Sequence, residues 1–110
     1  MTELEWELAR EYRRRLQACL GDRLKAVRVF GSRARGDSHP ESDLDVFVLI
    51  DSSDRPTRYE IIDAATDLCL ETHYAVDISP LIMDELQYQN LIDHERRIVR
   101  DIQLEGIAID

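Results

Sequence analysis

Positive charge is scarce in this 110-residue sequence, which carries 14 lysine and arginine residues against 23 aspartate and glutamate residues and a formal net charge of -9. Proteins that grip a nucleic-acid backbone usually present a basic face, so this composition argues against direct nucleic-acid binding and against a template-gripping polymerase. The same negative charge would repel a polyanionic nucleotide. We therefore expect that any bound nucleotide is accompanied by cations that neutralise its phosphates.

Long apolar runs are also missing, since no stretch approaches the ~20 residues that a membrane-spanning helix requires. Residues 1–7 are rich in glutamate and lack the apolar region of a signal peptide. These features predict a cytoplasmic protein without a membrane partner. Cysteine is limited to Cys19 and Cys69, which lie far apart in amphipathic helical patterns. We expect both to be reduced core thiols and not a disulfide.

The length suits one domain over residues 1–110, and the hydrophobic pattern divides it into alternating helices and strands. A capping-box pattern at 57–60 predicts a helix start, and Gly31 ends a β-branched run. The predicted helices cover 3–20, 57–72 and one or two segments within 83–105, and the predicted strands cover 25–30, 43–50, 75–79 and 107–109. This order predicts an α+β fold in which a small mixed sheet carries helices mainly on one face.

A Gly-Ser turn and an acidic pair flank the predicted loop at 33–42. Gly31 and Ser32 follow the first strand, and Asp43 and Asp45 open the second strand ten residues later. Side chains alternate along a strand, so the two aspartates share one face with Phe47 and Leu49. Asp43 and Asp45 should lie roughly 7 Å apart along the strand. The aliphatic residues between them should pack on the helices. The acidic pair should therefore emerge on an open face of the sheet.

A third aspartate, Asp77, lies in the next predicted strand between Val76 and Ile78. If those apolar neighbours pack on the helices, Asp77 points to the same face as Asp43 and Asp45. Three close carboxylates repel one another, and a pair of Mg²⁺ ions would relieve the repulsion because hard cations prefer oxygen ligands. Such a metal pair suits phosphoryl or nucleotidyl transfer.

The Gly-Ser turn supplies the complementary half of a nucleotide site. Gly31 would let backbone N–H groups approach phosphates, and Ser32 would add a hydroxyl donor. Arg33 or Arg35 could neutralise the leaving group, and the pattern does not decide between them. The three histidines, His39, His73 and His94, lack metal-ligand spacing relative to one another. Three tyrosines are expected to be packing residues: Tyr59, Tyr74 and Tyr88.

Taken together, these motifs resemble the minimal nucleotidyltransferases of the DNA polymerase β-like superfamily. The resemblance rests on Gly31-Ser32, Asp43-Leu44-Asp45 and the lone Asp77, and it extends to the Arg-Ala-Arg-Gly run after Ser32 and to Glu105-Gly106. It implies the α+β nucleotidyltransferase fold, two Mg²⁺ ions and ATP or another NTP as donor. It also implies that Ser32 contacts the phosphates, that Asp43 and Asp45 ligate both metals, and that Asp77 completes the first metal site and helps activate the acceptor hydroxyl.

Many short proteins of this type are antitoxins paired with a HEPN-domain ribonuclease toxin, and the resemblance implies transfer of AMP from ATP to a tyrosine of that toxin. Phe47 and Leu49, on the expected open face, are where such a partner could cover the sheet. Two alternatives remain open. The chain could be a small-molecule nucleotidyltransferase subunit similar to aminoglycoside-modifying enzymes, or an antitoxin that acts by binding alone.

Overall fold

The computed structural model describes residues 1–37, 42–94 and 97–110, so His39 and most of the second half of the predicted loop lie outside the described residues. The described residues form five helices and four strands, with a 3₁₀ turn at Gly21–Arg23 and a π-helical turn at Asp101–Glu105. The helices are α1 (Glu3–Leu20), α2 (Ser32–Arg35), α3 (Arg55–Glu71), α4 (Glu85–Asp93) and α5 (Arg97–Arg100), and the strands are β1 (Leu24–Phe30), β2 (Leu44–Ile50), β3 (Ile78–Asp84) and β4 (Ile107–Ala108).

The four strands form one sheet in the order β3-β2-β1-β4. β1 pairs antiparallel with β2 and β4, whereas β2 and β3 are parallel, so the predicted α+β fold with a mixed sheet is confirmed. In this register Phe30 lies opposite Asp45, and Asp45 lies opposite Ser79. The end of β1 and the beginnings of β2 and β3 therefore meet at one end of the sheet.

The two long helices, α1 and α3, cover the face that carries the even-numbered aliphatic residues of β2. Thr2 caps α1 by accepting a hydrogen bond from the Glu5 N–H, which satisfies one of the amides left unpaired at a helix start. The Tyr12 hydroxyl donates to the Ile61 carbonyl at 2.8 Å and so ties α1 to α3 inside the core. Burial raises the pKa of the Tyr12 phenol, so this group remains a hydrogen-bond donor.

The opposite face of the sheet is not open, which corrects the expectation for Phe47 and Leu49. Phe47 is only 1% exposed and lies 5.1 Å from the Tyr88 ring of α4. Leu49 packs against the same small cluster, which also contains Met83 and Ile102. Apolar side chains on both faces of β2 require cover on both faces, and the shorter C-terminal helices supply the second layer.

Two element starts differ from the sequence-based expectation. β3 begins at Ile78 and runs to Asp84, so Asp77 lies just before the strand and Pro80 lies inside it. The Leu44 N–H donates to the Asp77 carbonyl at 2.7 Å, which fixes the hydrogen-bond pattern between β2 and β3. Backbone groups alternate in direction along a strand, so the Pro80 nitrogen points away from β2, to the outer edge where proline is tolerated. The N-cap of α3 is Asp54, whose side chain accepts from the Thr57 N–H, because Pro56 already fits the first helical turn.

Both cysteines are free, but only one is in the core. Cys69 is buried, as expected, and its sulfur accepts a hydrogen bond from the Ile78 N–H at 3.4 Å. Cys19 is exposed, so the expectation of a core thiol is wrong at that position. In the described residues, the helices are too short or too polar for any of them to cross a bilayer.

Candidate active site

The turn after β1 brings the backbone against a carboxylate. Gly31 has φ 76°, a left-handed conformation that favours glycine, and a Cβ at this position would collide with the Asp45 Oδ2 atom. Ser32 then begins α2, whose turn closes when the Arg35 N–H donates to the Gly31 carbonyl at 3.1 Å. The first N–H groups of a helix have no partner within the helix, so this turn carries donors suited to an anion. Close approach of Gly31 to Asp45 thus joins the two halves of the motif.

The three predicted carboxylates lie at the end of the sheet where β2 and β3 begin, but they do not form one group. Asp43 and Asp77 are exposed and line one cleft, with Asp77 one residue ahead of the first registered pair of the parallel strands. Asp45 is half-buried beside Gly31 and lies opposite Ser79, which lines the same cleft. The backbone therefore carries one aspartate at the Gly-Ser turn and two in the adjoining cleft.

The environment of Asp45 disfavours its charge. Burial raises the pKa of this carboxyl, and the neighbouring Asp43 carboxylate raises it further, while Arg35 acts in the opposite direction. The nearest cation does not fully compensate the cost of burying this negative charge. A site with this imbalance would gain from a bound cation.

The donor set fits Mg²⁺ in its chemistry, since carboxylate oxygens are the ligands that hard divalent cations prefer. Over residues 1–37, 42–94 and 97–110, however, no three His, Cys, Asp or Glu side chains are grouped so as to hold a metal ion. Asp45 rests over Gly31 while Asp43 and Asp77 line the cleft.

We predict that Asp45→Asn raises the melting temperature of the metal-free protein at neutral pH. The raised pKa means that the folded state holds the Asp45 proton more tightly than the unfolded chain, so stability is lost as the pH rises through that pKa. Asparagine carries no charge, so its advantage should shrink as the pH falls toward the unfolded aspartate pKa of about 3.9. Thermal melts in EDTA across a pH series measure this, with Asp63→Asn on α3 as the exposed control. A variant that melts below the wild type at neutral pH would contradict the prediction.

The two predicted phosphate-binding arginines occupy different environments. Arg33 is only 8% exposed and donates from Nε to the Ser42 carbonyl at 2.9 Å and from a terminal nitrogen to Glu5 at 3.2 Å. Its guanidinium is held in the interior by these protein groups, so of the two arginines that the sequence left open, Arg33 is the buried one. Arg35 is exposed and pairs with Asp37 and Glu105, each at 3.2 Å. Because Arg35 also lowers the pKa of Asp45, it is the arginine that lies beside the site.

Sequence reasoning missed two residues that the structure places near this end of the sheet. Tyr74, expected to be a packing residue, is exposed and lines the cleft with Asp43 and Asp77. Its position three residues before Asp77 was the only available signal. Glu5, on the first turn of α1, is buried against Arg33, and no sequence signal pairs two residues 28 positions apart.

Comparison with known proteins places these residues in context. A family model described as "Polymerase beta, Nucleotidyltransferase" matches residues 16–105. A relative from Methanocaldococcus jannaschii, named "Putative protein adenylyltransferase MJ0141", is 36% identical over 90 residues, which cover 79% of this chain and 87% of that protein. Asp43, Asp45, Asp77 and the Gly31–Ser32 turn all lie within the matched span.

Two solved structures share the fold. A "putative nucleotidyltransferase" from Sulfolobus solfataricus superposes with a TM-score of 0.58 at 19% identity, over 96% of this chain and 78% of that one. A chain from a toxin-antitoxin crystallised with AMP-PNP superposes with a TM-score of 0.56 at 21% identity, over 88% of this chain and 68% of that one. At these identities the likeness establishes the architecture alone.

Proposed function

Because this chain belongs to the polymerase β nucleotidyltransferase family, we propose that it transfers AMP from ATP to a hydroxyl of a partner protein, a tyrosine of a HEPN-family toxin, and so neutralises that toxin as an antitoxin. The enzyme class predicted from the sequence, nucleotidyltransferase, is confirmed by the family match. The observation that carries the proposal is that, at one end of the sheet, Asp45 lies against Gly31 while Asp43 and Asp77 line the adjoining cleft.

One relative and two similar structures support the choice of donor and acceptor. The Methanocaldococcus jannaschii protein is named for transfer of an adenylyl group to protein, and its match covers most of both chains. The structure from the toxin-antitoxin contains AMP-PNP, an analogue of ATP. A third similar structure, a toxin-antitoxin MntA-HpeT mutant, has a TM-score of 0.53 at 20% identity, over 84% of this chain and 65% of that one. These names favour ATP as donor and a toxin as acceptor.

In the proposed reaction, the acceptor oxygen bonds to the α-phosphorus of ATP and the bond to the bridging oxygen of pyrophosphate breaks. Ser32 and the backbone N–H groups after Gly31 hold the phosphates. Arg35 balances charge on the departing pyrophosphate. Asp77, which lines the cleft together with Asp43, helps to take up the proton of the acceptor hydroxyl.

We assign two Mg²⁺ ions to Asp43, Asp45 and Asp77. When bound, they would lower the pKa of the attacking hydroxyl and neutralise the leaving pyrophosphate. The contribution of the chain to this site is to hold three carboxylate side chains at one end of the sheet, with the phosphate-binding turn beside them. A chain of net charge -9 has particular need of such cations in order to bind ATP.

The decisive test is the intact mass of the partner. A HEPN-family protein encoded beside this chain's gene, incubated with this protein, ATP and MgCl₂, should gain the mass of one or more AMP groups. Fragmentation should locate the addition on a tyrosine. Replacing ATP with AMP-PNP, which retains the α–β phosphate bond, should still permit transfer, whereas EDTA should prevent it. A partner whose mass is unchanged after incubation with ATP and Mg²⁺ would refute the proposal.

A further inference from the structure

The cleft that contains Asp43 and Asp77 has a wall that the proposed reaction leaves without a role. Thr66 of α3 and Tyr74, in the turn after that helix, both line it. β3 is an edge strand and is separated from β1 by β2, so this wall lies on the side of the carboxylates away from the Gly31–Ser32 turn. The phosphate-binding turn thus borders the site on one side, and Tyr74 borders it on the other.

Tyr74 is held in an unusual backbone conformation. Its φ is 55° and that of His73 is 53°, so two consecutive residues other than glycine adopt the left-handed region. This conformation closes the C-terminus of α3, because the His73 N–H donates to the Leu70 carbonyl and the Tyr74 N–H donates to the Cys69 carbonyl, as in a Schellman cap. The cap leaves the Tyr74 side chain 54% exposed. Core packing therefore does not account for the ring at this position.

Hydrogen bonds from neighbouring residues hold this turn in place. The Tyr74 N–H donates to the Cys69 carbonyl at 2.7 Å, and the Ala75 N–H donates to the Thr72 carbonyl at 3.1 Å. The Thr72 hydroxyl donates back to the Leu68 carbonyl at 2.9 Å. Buried Cys69 then joins the turn to β3 through the Ile78 N–H. The turn presents an exposed aromatic ring at a defined place beside the carboxylates.

We infer that Tyr74, with Thr66 beside it, is the docking point for the protein segment that carries the acceptor hydroxyl. This inference rests on the proposed function. A tyrosine offers an apolar ring with a polar tip, and such residues are frequent anchors at protein interfaces. The chain's net charge of -9, which the proposed metal ions offset only in part, favours a segment with positive charge. The opposite side, with the Gly31–Ser32 turn and Arg35, is left for the nucleotide.

The test compares Tyr74→Ala with Tyr59→Ala. Tyr59 is a matched control because it is 57% exposed, lies on α3, and borders a different hollow with Arg55 and Arg58. With the HEPN-family protein as acceptor, Tyr74→Ala should lower kcat/KM for that protein about tenfold or more, as loss of an interface anchor does. The KM for ATP should not change. Tyr59→Ala should stay within about twofold, and Tyr74→Phe should retain most of the activity because it keeps the ring.

Calorimetric titration of the same partner without ATP separates docking from chemistry. Tyr74→Ala should weaken the partner's affinity by the same factor, and the thermal melts of all variants should match the wild type. If Tyr74→Ala raises the KM for ATP and not for the partner, the ring serves the nucleotide and the inference is wrong. If it changes neither value while the wild type transfers AMP, the inference fails and the proposed function stands. If the wild type binds the partner through Tyr74 but transfers no AMP, the proposed function fails, and Tyr74 is a contact for the partner but not for an acceptor segment.

Discussion

Replacing Asp43 and Asp45 together by asparagine should abolish AMP transfer while leaving the fold intact. Loss of one electrostatic stabiliser of a transition state costs about 10²- to 10³-fold in kcat, so removal of two proposed metal ligands should cost at least about 10³-fold. Asparagine keeps the size of aspartate and removes its charge. Because burial already disfavours the charge on Asp45, the variant should melt no lower than the wild type without metal. Transfer of labelled AMP to the partner and thermal melts measure the two effects.

The control for this variant removes the same amount of charge elsewhere. Asp63 and Asp67 are exposed on α3 and line a pocket next to Cys19, which shares no residue with the cleft of Asp43 and Asp77. Their double replacement by asparagine should leave transfer within about twofold, because screened surface charges contribute little over such distances. Loss of transfer in both variants would mean that net charge, and not the proposed ligands, controls the reaction.

The same double variant also tests whether chemistry is needed for neutralisation. If Asp43→Asn/Asp45→Asn still neutralises the proposed toxin partner with wild-type potency in a growth assay, binding alone suffices and transfer is not needed. We expect neutralisation to be lost together with AMP transfer. An unchanged partner affinity in calorimetry would show that the loss comes from the chemistry and not from a damaged interface.

Glu5→Ala should destabilise the protein by about 3–5 kcal/mol, the usual cost of leaving one partner of a buried ion pair without the other. Glu5 is 3% exposed and its carboxylate lies 3.2 Å from an Arg33 nitrogen, so the variant leaves a buried guanidinium without its counter-charge. A small domain has only about 5–15 kcal/mol of stability in total, so this loss is large. Urea unfolding monitored by circular dichroism measures the change in unfolding free energy.

An exposed ion pair provides the control. Glu71 pairs with Arg15 through two hydrogen bonds but is exposed, so Glu71→Ala should change stability much less than Glu5→Ala. A double variant, Glu5→Leu/Arg33→Met, removes both buried charges and should recover part of the loss, since apolar pairs can replace buried ion pairs. Equal destabilisation by Glu5→Ala and Glu71→Ala would show that burial adds nothing to the strength of the Glu5–Arg33 pair.

This ion pair also explains why the arginine that directly follows Ser32 is buried. Arg33 bonds to both Glu5 and the Ser42 carbonyl, so it ties α1 to the residue that precedes Asp43. The two halves of the motif, at 31–32 and 43–45, are thereby anchored to the same helix. Local sequence could not indicate this, because the side chain of a residue after a turn can point either to solvent or inward, and only the position of α1 decides.

The sequence was sufficient for features that depend on local chemistry. Apolar spacing predicted α1 over the same residues that the structure shows, and β-branched runs located β1 and β2 to within one residue. Period-two alternation separated the acidic face of β2 from its aliphatic face. It was insufficient where distant elements compete for space. Pro80 was expected to end β3, but on an edge strand its missing N–H costs nothing, and the strand continues to Asp84.

By itself, then, the sequence determined the α+β class and the nucleotidyltransferase motif, because spacing and alternation are properties of neighbouring residues. Only the tertiary structure decided which of the motif's side chains face the cleft. Arg33 turned inward because Glu5 lies against it, Phe47 became buried because α4 returns across the sheet, and Tyr74 came to the cleft through a turn held by Cys69 and Thr72. Each outcome depends on contacts between elements distant in the chain, and these contacts exist only after folding.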